Sequence, residues 1–214
     1  MTEKIRLILV DDHAIVRAGF KMLLATSDTI EVIAEAERGE TAIQLYQELK
    51  PDLLIMDLSM PGLGGLETIH RIMQRDSEAC ILVFSVHHES VYINRALTAG
   101  AKGYITKNSA PELLLEAINS LMQGENYVEK GLLKTTHLVK TTQNYQSIID
   151  QFSQREFDIF RLLTQDMTVH KIADELCLGY KTVANYVTQI KKKLSADSLI
   201  ELVRIAEACG INKT

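Results

Sequence analysis

Residues 5–12, IRLILVDD, read as a buried strand that ends in an acidic pair, Asp11 and Asp12. The pattern returns at 53–57, LLIMD, where Asp57 closes the apolar run. In an open parallel sheet the strand C-termini meet along one edge, and ligands bind there. Carboxylates gathered at such an edge repel one another unless a cation joins them. A hard divalent ion with oxygen ligands, Mg2+ above all, suits that site. The first expectation is an acidic pocket for a divalent ion and phosphoryl chemistry.

Outward from these two strands, residues 1–123 alternate apolar runs with helical patterns. Strands are predicted at 5–10, 31–36, 53–56, 80–84 and 103–106, and helices at 13–26, 39–49, 64–75, 89–99 and 110–123. Strict alternation implies an α/β fold, a doubly wound five-stranded parallel sheet of flavodoxin-like type. The run CILVF (80–84) is apolar throughout, as a strand buried on both faces should be. Gly62, Gly64 and Gly65 predict a tight loop just beyond Asp57. Residues 124–148 are polar and Thr-rich, and read as a linker with room for a short helix at 130–138. Residues 149–214 form a second, smaller, all-α unit. Ser153 and Glu156 make a capping box, in which hydroxyl and carboxylate satisfy free N–H groups at the start of a helix over 154–164. Thr168 caps a short helix to Cys177, Gly179 turns the chain into a helix at 180–194, and a last helix spans 198–208. Two helices joined by a tight turn are a helix-turn-helix pattern.

Composition bounds the partners. Residues 1–123 carry 11 Lys+Arg against 17 Asp+Glu, net −6, while 149–214 carry 9 of each, net zero. The acidic half argues against direct contact with nucleic acid, and the neutral half permits it. No apolar run approaches the ~18 residues that span a bilayer, so no membrane is expected. The start, MTEKIRLILVDD, does not read as a signal peptide. Cys80, Cys177 and Cys209 match neither a disulfide framework nor metal-ligand spacing, and buried free thiols in a reducing cytoplasm are expected.

Four stretches fall in order at strand C-termini: VDD (10–12), MDLSMPGLGG (56–65), FS (84–85) and GYITK (103–107), the last carrying both Tyr104 and Lys107. With them, residues 1–123 resemble the receiver domain of bacterial two-component response regulators. The resemblance implies that Asp57 is the phosphoacceptor, forming an acyl phosphate by covalent catalysis. It implies Mg2+ held by Asp12, Asp11, Asp57 and the Ser59 carbonyl, since the ion neutralises charge on the transferring group. Ser85, Tyr104 and Lys107 are implied as the switch residues. Ser59 and His87 sit where the family tunes acyl-phosphate lifetime. A sensor histidine kinase is implied as the partner, with the chain accepting a phosphoryl group rather than acting as an enzyme.

The helix at 180–194 can be phased at ~100° per residue. Val183, Val187, Ile190 and Leu194 fall on one buried stripe, and Lys181, Asn185, Thr188, Gln189 and Lys192 lie opposite. Such donors can meet phosphates and base edges of double-stranded DNA. The stretches FSQREFDIFRLL, KIADELCLGYKTV and IKKKL make residues 152–208 similar to the LuxR-type helix-turn-helix domain of the NarL/FixJ class. Within that class, ELCLGYKTVANY is most like global regulators of the UvrY/GacA kind. By this resemblance 180–194 is the recognition helix, with base-reading positions on Ala184, Asn185 and Thr188. Lys181, Thr182, Gln189 and Lys192 complete the expected DNA-binding set. Leu199, Leu202, Val203 and Ala206 would form a homodimer contact when the chain is phosphorylated. Ala184 stands where many members carry Lys or Asn, which removes one polar contact. A regulator acting through protein contacts therefore stays as an alternative. Two enzymes on the same sheet fit less well: Asp11-Asp12 would repel the phosphate of a flavin nucleotide, and a haloacid-dehalogenase-type phosphatase needs an Asp where Ser59 stands.

Overall fold

The structure, a computed structural model, describes residues 4–132 and 140–211. The chain divides into two compact units: residues 1–88 with 92–133, and residues 134–214 with 89–91. Most of the short helix expected at 130–138 lies outside the described residues.

The first unit runs β1 (Ile5–Val10), α1 (Ala14–Leu24), β2 (Ile30–Ala36), α2 (Gly39–Leu49), β3 (Leu53–Met56), α3 (Gly65–Met73), β4 (Ile81–Ser85), α4 (Ser90–Ala99), β5 (Gly103–Thr106), α5 (Pro111–Met122) and β6 (Tyr127–Val128). The sheet is parallel with order β2-β1-β3-β4-β5-β6. Six strands stand where five were expected. The extra one, β6, arises from a stretch read as linker, because two residues are too short to show a period. Side chains alternate across the pleat. Leu7, Leu9, Leu53, Ile55, Leu82, Phe84 and Ile105 bury one face with Leu24 of α1 and Leu114, Ile118 and Leu121 of α5. The other set, Ile8, Leu54, Ile81, Val83 and Tyr104, is equally buried. A core on both faces explains why the central strands are apolar throughout.

The second unit is helical: α6 (Lys140–Asp150), α7 (Gln154–Thr164), α8 (Val169–Glu175), α9 (Tyr180–Leu194) and α10 (Leu199–Ala208). Most of α6, residues 140–148, falls inside the stretch expected as linker. Both halves of the predicted capping box on α7 form, with Glu156 N–H donating to Ser153 Oγ (3.3 Å) and Ser153 N–H to Glu156 Oε2 (2.9 Å). Ser198 and Glu201 build a second box on α10. The tight turn before α9 is made by Cys177, whose φ is 53°, and not by Gly179, whose φ of −73° any residue adopts. Of the three cysteines only Cys209 is buried; Cys177 is exposed and Cys80 half-buried, all three being free. Turn geometry places Cys177 at the surface, which overrides the usual burial of a thiol.

Candidate functional site

The carboxylate pocket follows from strand register. Val10 pairs with Met56, so the next residues, Asp11 and Asp57, leave the sheet side by side. Asp57 N–H still donates to Val10 O (2.8 Å), and Asp11 N–H to Ala36 O (3.1 Å), so both backbones are held by the ladder. This edge lies between β1 and β3, where the strand order reverses, and there the crevice of such a sheet opens. Beyond Asp57 the loop doubles back tightly. A Cβ at Gly65 would stand 2.1 Å from Asp57 O and 2.7 Å from Leu58 Cα, so only glycine lets α3 start there.

Asp57 and Asp11 are almost fully buried, at 1% and 4% exposure. Lys107 Nζ bridges them, 2.8 Å from Asp57 Oδ2 and 2.5 Å from Asp11 Oδ2. Burial pushes the Asp57 carboxyl above the ordinary range, against the pull of Lys107, and Asp11 adds to the rise. Burial also works against the Lys107 ammonium, but Asp57 and Asp11 together outweigh it and hold its pKa up. The two shifts differ in balance because Lys107 faces two carboxylates while Asp57 faces one cation. Asp12 Oδ1 is buried and takes no well-aligned hydrogen bond, although His13 Nδ1 lies 2.8 Å away. Among the described residues, Asp11, Asp12, His13 and Asp57 bring ligand atoms within 4.8 Å of one another. The three carboxylates of this set, with Asp12 Oδ1 buried and poorly satisfied, fit a hard divalent cation. His13 was not singled out from sequence. Its signal is position alone, directly after the acidic pair.

The residues expected as the switch gather near the same edge. Ser85 is buried at the end of β4, where its Oγ accepts from His87 N–H (3.3 Å). Tyr104 is buried, and its hydroxyl donates to His87 O (2.8 Å). Ser59 N–H donates to Asp57 Oδ1 (3.3 Å), and Ser59 Oγ lies 3.0 Å from His87 Nε2. The His87 ring stacks on Tyr92 of α4 at 3.9 Å and 4°. His87 thus touches Ser59, Ser85, Tyr104 and Tyr92, a set of links that sequence spacing does not reveal.

In the helical unit, α9 buries Val183, Ile190 and Leu194, at 0–1% exposure. Val187 is only half-buried, so it is a rim residue rather than part of the inner stripe. Lys181, Thr182, Asn185, Thr188, Gln189 and Lys192 are exposed, and Ala184 is intermediate. Thr188 Oγ1 donates to Ala184 O (3.0 Å), so its hydroxyl proton serves its own helix. Two of the three consecutive lysines are engaged: Lys193 pairs with Glu156 (2.6 Å) and lies over the Phe152 ring, and Lys191 bonds Asp197 O (3.3 Å). On α10, Leu202 and Ala206 are fully buried in the unit's own core. They are not available as dimer surface. The outward apolar set is Leu199 (40% exposed), Val203 and Ile200, which is 66% exposed and was missed. Helix phase explains it: α10 packs on α6 and α7 with the 202/206 side inward.

Comparison with known proteins agrees with both halves. Residues 7–119 match the family model of the response regulator receiver domain, and residues 150–206 match that of bacterial regulatory proteins of the luxR family. The response regulator GacA of Pseudomonas aeruginosa is 35% identical over 208 residues, covering 97% of each chain. The response regulator UvrY of Escherichia coli K12 is 33% identical, over 97% of this chain and 95% of the relative. RcsB of Salmonella enterica serovar Typhimurium, solved bound to the rprA promoter with the phosphomimetic BeF3−, is 25% identical with a TM-score of 0.66, over 95% of this chain and 99% of that one.

Proposed function

Because the chain belongs to the two-component response regulators, with a receiver domain ahead of a luxR-family DNA-binding domain, we propose that phosphorylation of Asp57 controls its binding to DNA and so regulates transcription. It is a regulator and not an enzyme in the ordinary sense. The observation that carries the reading is the pocket itself: a buried Asp57 beside Asp11, with Lys107 bridging both.

A sensor histidine kinase is the phosphodonor. Asp57 attacks the phosphorus, the bond to the donor breaks, and an acyl phosphate remains on Asp57. Asp11, Asp12, Asp57 and the Ser59 carbonyl would hold Mg2+. When bound, the ion supplies charge neutralisation at the transferring oxygens. Lys107 already bonds Asp57 Oδ2 and is placed to follow the charge onto the phosphoryl group. Ser85 offers its hydroxyl to that group. Tyr104 and His87 re-pack with it and shift α4, a two-state element that releases or dimerises the DNA-binding unit.

Residues 1–123 serve as the receiver, 124–148 as the connection and 149–214 as the DNA-binding domain; the pairing of β6 with β5 supports moving the first boundary to about 132. On α9, Asn185 reads a base edge, Lys181, Thr182, Gln189 and Lys192 contact the backbone or neighbouring bases, and Ala184 meets a thymine methyl. Leu199, Ile200 and Val203 form the dimer contact on DNA. Among the described residues no helix is long and apolar enough to cross a membrane, and the chain acts in the cytoplasm, where its DNA lies.

The test uses acetyl phosphate and Mg2+. Wild-type protein should gain the mass of one phosphoryl group, and Asp57→Asn none. Gel shifts on a selected operator should tighten for the phosphorylated wild type alone. Equal labelling of the Asn variant would remove Asp57 from its role.

A further inference from the structure

Strand β6, absent from the predicted fold, delivers a carboxylate to the switch loop. Glu129 follows β6 directly, and its N–H donates to Tyr104 O (3.0 Å). Its side chain turns back over the end of β5. There Glu129 Oε2 accepts from Thr106 N–H (2.9 Å), Thr106 Oγ1 (3.2 Å) and Ser109 Oγ (2.6 Å). The two hydroxyls also lie 2.8 Å apart.

Thr106 and Ser109 bracket Lys107, the residue that bridges Asp11 and Asp57. One carboxylate oxygen therefore grips both ends of the short loop that presents the lysine. Hydrogen bonds to an ionised acceptor are about twice as strong as neutral ones. Thr106 is buried, and β6 ends at Val128, so Thr106 N–H has no ladder partner and depends on Glu129. After Glu129 the chain makes one turn, with Leu132 N–H donating to Glu129 O (3.2 Å), and in sequence the helical unit follows.

We propose that Glu129 is a positioning residue that couples the Lys107 loop to the segment leading into the DNA-binding unit. When the loop shifts towards a phosphoryl group on Asp57, Glu129 must move with it or release it, and the chain after β6 responds. This coupling rests on the reading that phosphorylation controls DNA binding. A purely structural role, holding Thr106 and Ser109 in place, would show in stability alone.

The experiment compares full-length wild type, Glu129→Gln and Glu129→Ala. The Gln variant keeps an acceptor oxygen in place; the Ala variant removes it. Three quantities are read with and without acetyl phosphate and Mg2+: Asp57 phosphorylation by intact mass, affinity for an operator selected with wild type, and Tm. All three proteins should be phosphorylated to a similar extent. The ratio of affinities with and without the phosphoryl group should fall by roughly fivefold or more in the Ala variant, the scale of an ordinary coupling free energy, and be largely kept by Gln. An Ala variant with the wild-type ratio overturns the proposal, whatever its Tm. So does one that no longer accepts the phosphoryl group, because Glu129 would then serve the transfer itself. A Gln variant as defective as Ala overturns the clamp geometry. A wild type that gains no affinity sinks the underlying reading, and the coupling with it.

Discussion

The pocket at the β1/β3 edge and the outer face of α9 treat polar groups in opposite ways. In the pocket, charges are buried and already paired: Asp57 and Asp11 share Lys107, and Ser59 N–H leans on Asp57. On α9, Lys181, Asn185, Gln189 and Lys192 stand in water, while Lys191, Lys193 and Thr188 are spent on the fold. A reacting centre gains from groups fixed beforehand, because they need no reorganisation as charge develops. A recognition surface gains from donors kept hydrated until phosphates and bases replace the water. Under the proposed function, the buried pairs at the sheet edge serve the chemistry, and the exposed donors of α9 serve the reading of DNA.

The largest effect should come from breaking the support under the reader. Val183→Asp places a charge at a site with 0% exposure, and the helical unit should unfold. Loss of the helical signal by circular dichroism checks it; Val187→Asp, at the half-buried rim, should be far milder. Next is the pocket. Lys107→Ala leaves Asp11 and Asp57 without their bridging cation and should cost up to about 3 kcal/mol, the low end for a broken buried pair. Added Mg2+ should restore part of that loss, seen as a larger Mg2+-dependent rise in Tm than in wild type. A Tm indifferent to Mg2+ would argue against a shared site.

Smaller effects sharpen the reader itself. Asn185→Ala should cost ~1–3 kcal/mol on the selected operator and relax one position per half-site. Lys192→Ala should weaken all sequences alike and reduce the salt slope by about one. Fluorescence anisotropy at several salt concentrations separates the two, and wild-type binding by both variants would favour regulation through protein contacts. Smallest is Glu156→Gln. Burial tends to raise the Glu156 carboxyl, but Lys193 and the Ser153 hydrogen bonds prevail and hold it below the ordinary range. With its folded pKa depressed, its contribution is complete above the unfolded value of about 4.3 and lost as pH falls through the lower folded one. The Gln variant should lose about 1 kcal/mol near neutrality, the scale of one cap. The gap to wild type should close in the acid range, which urea titrations at neutral pH and in acid would show.

The pocket was legible because its signals are local and repeated. Each of Asp11, Asp57, Ser85 and Lys107 sits at or just past a strand end, and parallel pairing carries all of them to one edge. The helices were legible from caps and period, as Ser153 with Glu156 shows. The outward face of α10, where a dimer contact was expected, was not. Leu199, Leu202, Val203 and Ala206 are all apolar and closely phased, so periodicity cannot say which half of the stripe faces α7. Packing decides it, burying Leu202 and Ala206 and leaving Ile200 outside.

Composition, strand-end carboxylates and helix caps were enough to establish an α/β unit with an acidic pocket, followed by a helical unit with a polar face on its 180–194 helix. These rest on covalent neighbours and on periods of two and 3.6, which a chain carries wherever it folds. Packing alone settled the sixth strand, the left-handed turn at Cys177, the His87 contacts and the Glu129 clamp on the Lys107 loop. Each of these joins residues that are far apart in sequence, or depends on which neighbour fills a given space. Thr106 and Glu129 lie 23 positions apart, and nothing in either one's local sequence names the other.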